Sequence, residues 1–342
     1  MNNKLYAQIA DLYNSEFGIK IGIHEDRNSP LTPAIDLDLQ EVIFNPHFET
    51  LMTLFNLSTL HKLAGSRAVH HFLLYHLALR RHLYDKAAEL LDLLEADIQV
   101  LCKEVEKGQR QMFAFLSEFQ TAFILAHEFS HIFYYLHPDR LRENRRQQKE
   151  HLVWLRKELD TDKPLLVRLF HFLVPQIKHV QTHSFDEAIE SAALQEELLC
   201  DEAAWHLTCH FIRSTVTDGE MQALLSAYVV YTLYYIEAQR TLENIYLEDV
   251  AGKRQKDLMF DTSRSTVLVN TMWDDVPKEN IKQYQSLVNE ISRQGRFVLI
   301  WALRNNVDHI GFIRWMEKGT YSVKELQRLH AKYEEVVLKL GF

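Results

Sequence analysis

Residues 123–137 read FILAHEFSHIFYYLH, and the reading of this stretch decides the fold. Leu125, Phe129, Ile132 and Leu136 fall three and four apart, the period of a helix with an apolar face. Into that run the chain sets His127, Glu128 and His131. A helix turns about 100° per residue, so side chains four apart share a face. His127 and His131 can therefore aim imidazole nitrogens at one point, with Glu128 displaced around the axis by one position. Polar groups inside an apolar run are costly to bury unless something satisfies them. Pro138 stops the helix.

Outward from this stretch the pattern stays helical. From about residue 47 to 137 apolar residues recur three and four apart, as in FLLYHLALRRHLYDKAAELLDLLEADIQVL. Ahead of it, IKIGI (19–23) and AIDLDLQEVIF (34–44) alternate apolar and polar residues around Pro30 and Pro33, which predicts two strands of a small sheet. Beyond Pro138 come a charged segment and an apolar helix around 165–178. A helix opened by the Ser184/Glu187 capping-box pattern then runs to near 214. A Tyr-rich helix follows, then a polar stretch holding a short strand, STVLVN (265–270). The last helix opens on Ser322 and Glu325, again a capping-box pattern. With no repeat and no linker, the expectation is one mainly helical (α+β) domain over 1–342, its strands confined to about residues 1–46.

The composition agrees. The 342 residues are 47% hydrophobic and 25% charged, enough for a large core, and 10 Gly with 7 Pro leave few helix breakers. A net charge of −9 argues against a nucleic-acid partner. The basic stretch RLRENRRQQK (140–149) reads as a solvated surface. The N-terminal residues form an amphipathic pattern without a signal peptide's basic and apolar blocks. The longest uncharged run, 221–236, falls short of the ~20 residues of a bilayer span and contains Gln222, Ser226 and Thr232. It predicts a buried helix and no membrane span. Cys102, Cys200 and Cys209 make no CxxC spacing, so a reducing, cytoplasmic setting is expected.

His-Glu-x-x-His on a helix is a donor pair for one zinc ion per chain, with Glu128 placed beside a polarised water as general base. A third ligand is needed, and two completions compete. HEFSHIFYYLH resembles the metzincin pattern HExxHxxGxxH with His137 as third histidine. Tyr134 stands where that pattern has glycine, and a helix continuing through it carries His137 about 240° around and roughly 9 Å along the axis. The other completion takes a glutamate from a later helix. Glu158 with Asp162 lies in a charged segment running into Pro164. Glu197 with Asp201 lies mid-helix, on one stripe with Glu190, Ala193, Ala204 and Thr208, where small residues would allow a close helix approach. Glu197 is preferred, with Glu190 in reserve.

HExxH followed by ExxxD resembles the gluzincin clan of zinc metallopeptidases, over about residues 115–137 and 185–212. The resemblance implies His127, His131 and Glu197 as zinc ligands, Glu128 as general base, and Asp201 as the acid orienting a ligating histidine. It implies an endopeptidase acting on a protein or peptide substrate. The chain departs from better-known members by lacking a glycine after His131 and by the long interval between His131 and Glu197. The competing expectation is a helical regulatory or protein-binding module in which zinc is structural or absent. Tyr228, Tyr231 and Tyr235 share a helix face and read as packing. His206 faces away from Glu197. The 34–44 strand is the one on which a substrate peptide could pair.

Overall fold

The computed structural model describes residues 3–161, 175–247, 263–264, 267–268, 286 and 316–341. A first helix, α1 (Asn3–Phe17), leads into three strands, β1 (Gly22–Glu25), β2 (Ala34–Asp36) and β3 (Glu41–Phe44). Four helices follow: α2 (His47–Leu60), α3 (Lys62–Arg80), α4 (Tyr84–Glu104) and α5 (Lys107–Leu136). After Pro138 come α6 (Pro138–Thr161), α7 (Pro175–Glu190), α8 (Ala192–Thr215) and α9 (Gly219–Leu247), and near the C-terminus α10 (Val323–Leu338). The fold is mainly α with a small N-terminal sheet, as the pattern predicts.

The sheet differs in detail. Its order is β1-β3-β2, with β1 parallel and β2 antiparallel to β3. The stretch 34–44 is thus two strands and not one. Asp36 breaks it: its carboxylate accepts the backbone N–H groups of Asp38 and Leu39 at 3.1 and 3.0 Å, turning the chain back on itself. β1 starts three residues later than the alternation suggests. The Ile21 N–H is given to the Asn14 side chain at the end of α1 (2.7 Å), so it does not enter the ladder. With β3 in the middle, both of its edges are already taken, which removes it as a pairing edge for a peptide.

Further departures concern helix ends. The helix predicted to open at Ser184 is continuous through it, and the break comes at Ser191. Phe185 and Ala188 are buried with Leu152, Leu194, Leu198 and Val267 in a small second core, and that packing overrides the local capping signal. The break is closed chemically: Ser191 Oγ accepts the Leu194 N–H, while Gln195 Nε2 donates to the carbonyls of Ala188 and Ile189. In STVLVN, the described residues Val267 and Leu268 are helical, not extended. The helix expected around 165–178 lies outside the described residues up to 174. At α10, Ser322 does cap the helix as predicted, accepting from Glu325 N–H.

Helix α5 runs through the main core and is fixed in register by buried polar contacts. Thr53 meets Ser117 at 2.8 Å, and Asn56 donates to Gln120, which in turn donates to the Tyr228 carbonyl of α9. Tyr13 of α1 meets Ser130 at 2.7 Å. Gly65 lets α3 lie against α2, since a Cβ there would fall 2.4 Å from Ser58 Cα. Tyr228, Tyr231 and Tyr235 are core residues, with Tyr235 stacked on Phe55.

Two core histidines should make the fold acid-sensitive. Burial is the main cause that drives the His47 imidazole down to about 3 and His76 well below its ordinary value. A ring whose folded pKa is depressed is neutral in the fold and protonates freely only when unfolded. Its contribution is intact above about pH 6.5 and is lost as pH falls below that value. Going from about pH 7 to about pH 5 should cost about 2 kcal/mol per ring, read as a lower urea midpoint. His47→Gln should flatten that dependence; an unchanged slope would show that the ring does not govern it.

Candidate metal centre

The site lies where α5 crosses α8. His127 and His131 project from one face of α5, and Glu197 meets them from α8. Their ligand atoms all lie within 4.8 Å of one another, so this group could hold a metal ion. His127 Nε2 lies 3.1 Å from His131 Nε2 and 3.4 Å from Glu197 Oε2, and His131 Nε2 lies 3.4 Å from Glu197 Oε1. Bonds of about 2.0–2.1 Å in a tetrahedron put neighbouring ligand atoms roughly 3.3–3.4 Å apart, so the donor spacing suits such an ion.

Asp201, one turn beyond Glu197, has no exposed surface, and its Oδ1 lies 2.8 Å from His127 Nδ1. When the ring is neutral, donation of the Nδ1 proton to Asp201 leaves the Nε2 lone pair directed toward His131 and Glu197. Glu196 stands in the corresponding place for His131, 3.6 Å from Nδ1, and is itself paired with Arg145 of α6.

Arg264 is the residue that the sequence reading passed over. It lies 63 residues from Asp201 in a polar stretch with no helical periodicity to mark it. Its Nε and Nη2 each stand 2.5 Å from an Asp201 oxygen, its Nη1 is 2.9 Å from Glu197 Oε2, and its Nη2 is 3.1 Å from His127 Nδ1. Arg145 and Glu196 also escaped notice. Arg145 lies in the basic stretch read as solvated; its neighbours Arg142 and Arg146 do pair with acids of α6 on the surface.

The charges respond to this crowding. Burial and the Arg264 charge push the His127 imidazole down, but Asp201 and Glu197 outweigh them and it rises to about 9. Burial pushes Glu197 and Asp201 up; against that, the two imidazoles and Arg264 bring Glu197 far below the carboxylate range, and Arg264 and His127 lower Asp201. Glu128 behaves differently. Burial raises its carboxyl, Glu197 adds to the rise, and the cationic neighbours only partly offset it.

The remaining expected residues are placed as follows. Among the described residues His137 is not in the metal-holding group; it ends α5 against Phe133. Helix α5 does continue through Tyr134 and Tyr135. Glu190 is exposed at the end of α7, on a separate helix from Glu197. Ala193 is exposed too, so the close approach of α8 rests on Ala204 and Thr208 and not on the whole stripe. The Glu158/Asp162 pair lies outside the residues whose side chains are described. His206 is exposed beside Glu202. Comparison with protein families, curated proteins and solved structures finds no match for this chain.

Asp201 and Arg264 form a buried ion pair, and removing one partner of such a pair strands the other charge. Arg264→Met should lower the stability of the metal-free protein by about 3 kcal/mol. The loss should show as a reduced urea midpoint, and metal should restore part of it. An unaltered midpoint would mean that His127 alone suffices for Asp201.

Proposed function

We propose that the chain is a zinc-dependent endopeptidase of the gluzincin kind that hydrolyses an internal peptide bond in a protein substrate. The observation that carries this reading is the convergence of His127, His131 and Glu197 from two helices, close enough to hold one ion, with Glu128 near enough to feel the charge of all three. Two imidazoles and one carboxylate make the donor set of catalytic zinc sites that keep one coordination position open. Asp201 behind His127 fixes the ring and its tautomer.

Bound there, zinc would polarise the scissile carbonyl and lower the pKa of a nearby water toward about 7. His127, His131 and Glu197 would hold the ion. Glu128 would take a proton from the attacking water as oxygen adds to the carbonyl carbon. It would then pass that proton to the departing amine nitrogen as the C–N bond breaks. A carboxyl already raised by burial is matched to both halves of that task.

The second reading, a regulatory or protein-binding module with structural metal or none, draws its support from Arg264. Its guanidinium pairs with Glu197 and Asp201, so these acids have a counter-charge even without metal. Among the described residues, no helix is long and apolar enough to cross a membrane, which both readings accommodate.

Elemental analysis and turnover together separate the readings. About one zinc per wild-type chain and none in His127→Ala is the expected result. Glu128→Gln should keep the metal and lose turnover of a peptide library by several orders of magnitude, while Glu197→Ala should lose both. Wild-type turnover by Glu128→Gln would refute the mechanism. Zinc-free wild-type protein after zinc supplementation would leave the second reading.

A further inference from the structure

A second site lies away from the α5–α8 crossing. A pocket of about 320 Å³ opens between the loop after β1, the end of α3, and the segment leading into α10. That volume is at the small end of the range for small-molecule sites, roughly 300–1,000 Å³. In a chain with a net charge of −9, its walls carry three cations, Arg27, Arg80 and Lys318. Among the described residues lining it there is no carboxylate. Arg27 pairs with Glu334, and Glu243 lies close enough to Arg80 to feel its charge.

The walls are built, not incidental. Helix α3 ends with Leu83 N–H bonded to the Ala78 carbonyl and His82 N–H to the Leu79 carbonyl, a motif that usually places glycine at the left-handed position. Here His82 occupies it at φ 59° and puts an imidazole in the pocket wall. The segment carrying Lys318 is clamped onto this corner. Gly319 N–H donates to the Arg81 carbonyl at 2.9 Å, Arg81 Nη2 to the Met316 carbonyl at 2.6 Å, and Ser322 N–H to the Tyr84 hydroxyl at 2.9 Å. Gly319 is required for the clamp, since a Cβ would fall 2.2 Å from the His82 carbonyl oxygen.

Inside, His76 is 5% exposed, and its Nε2 has no hydrogen-bond partner among the described residues. Tyr84 and Tyr321 supply aromatic surface beside it, with Tyr321 5.3 Å from His82, ring to ring.

We propose that this pocket binds a small phosphate-bearing ligand. Phosphate carries nearly two charges and three strong acceptor oxygens, against one charge for a carboxylate. Arg80 and Arg27 offer planar forks suited to its oxygens, and Lys318 a point charge. The tyrosines and His82 give an organic body a surface to lie on.

Calorimetric titration of the full-length protein tests this with inorganic phosphate, phenyl phosphate and benzoate, on zinc-loaded and chelator-treated samples. Both phosphate probes should bind in either sample, and benzoate should not. Lys318→Gln and Arg80→Gln, at exposed positions that leave the core intact, should each weaken phenyl phosphate about tenfold. Gly319→Ala should abolish its binding while the urea midpoint stays within reach of the wild type's. Absence of binding by both phosphate probes would overturn the proposal. So would benzoate binding as tightly, dependence on the metal, or indifference to both Lys318→Gln and Arg80→Gln.

Discussion

A carboxylate with no exposed surface cannot stay ionised without cations close around it, and Asp201 is such a group. Two residues from opposite parts of the chain answer it: His127 of α5 and Arg264, the second through a two-pronged contact. The demand ties three segments together. Helix α8 must lie with Asp201 against α5, and the Ser263–Arg264 segment must close over α8. Ser263 reinforces this by donating to Glu187 of α7 at 2.5 Å. Glu197, one turn before Asp201, is thereby delivered to the two histidines. Its position follows from the depth of Asp201 more than from any contact of its own.

The other half of the geometry comes from α5. A helix packed by apolar contacts alone can slide or rotate at modest cost, because such contacts are non-directional. Hydrogen bonds buried in a low-dielectric core cannot be lost so cheaply. Thr53–Ser117, Asn56–Gln120 and Tyr13–Ser130 peg α5 at three levels against α2 and α1. Ser130 lies one residue before His131, so the peg at that level sets the axial position and rotation of the motif directly. The same helix that looks like plain apolar core in the sequence is held to the tolerance a ligand set requires.

Legibility in the sequence followed the range of the interaction. The helical class, the end of α5 at Pro138 and the cap at Ser322 are local signals, written within four residues of where they act. The grouping of His127, His131 and Glu197 was readable because helix periodicity fixes relative direction within each of two helices. What was not readable depended on contacts between distant segments. The 34–44 alternation is genuine, yet Asp36 has a side chain that captures backbone N–H groups and turns the strand. The Ser184 cap is genuine as a pattern, yet burying Phe185 keeps the helix whole. Arg264 had no signal at all: a lone arginine in a polar stretch looks the same whether it meets water or Asp201. Glu190 carried a periodicity argument too far, since the break at Ser191 puts it on a separate helix from Glu197.

The charge balance of the α5–α8 crossing bears on what it is built to hold. Glu196 and Arg145 cancel each other at its edge. Inside, Glu128, Glu197 and Asp201 face the single guanidinium of Arg264, which leaves two negative charges if all three acids are ionised and both imidazoles neutral. Without a further cation the site must take up protons, and the two groups pushed upward, His127 and Glu128, are where they would go. A divalent ion removes that need. It would leave the imidazoles neutral, as ligation requires, and Glu128 free to ionise. Admitting it requires Arg264 to give ground at His127, because Nη2 also lies 3.3 Å from His127 Nε2. The guanidinium holds Asp201 through Nε and Nη2, while only Nη1 touches Glu197, at Oε2. A carboxylate has about four lone-pair sites, so Glu197 can serve the arginine and an ion together. The arginine thus supplies charge that keeps Asp201 ionised and buried.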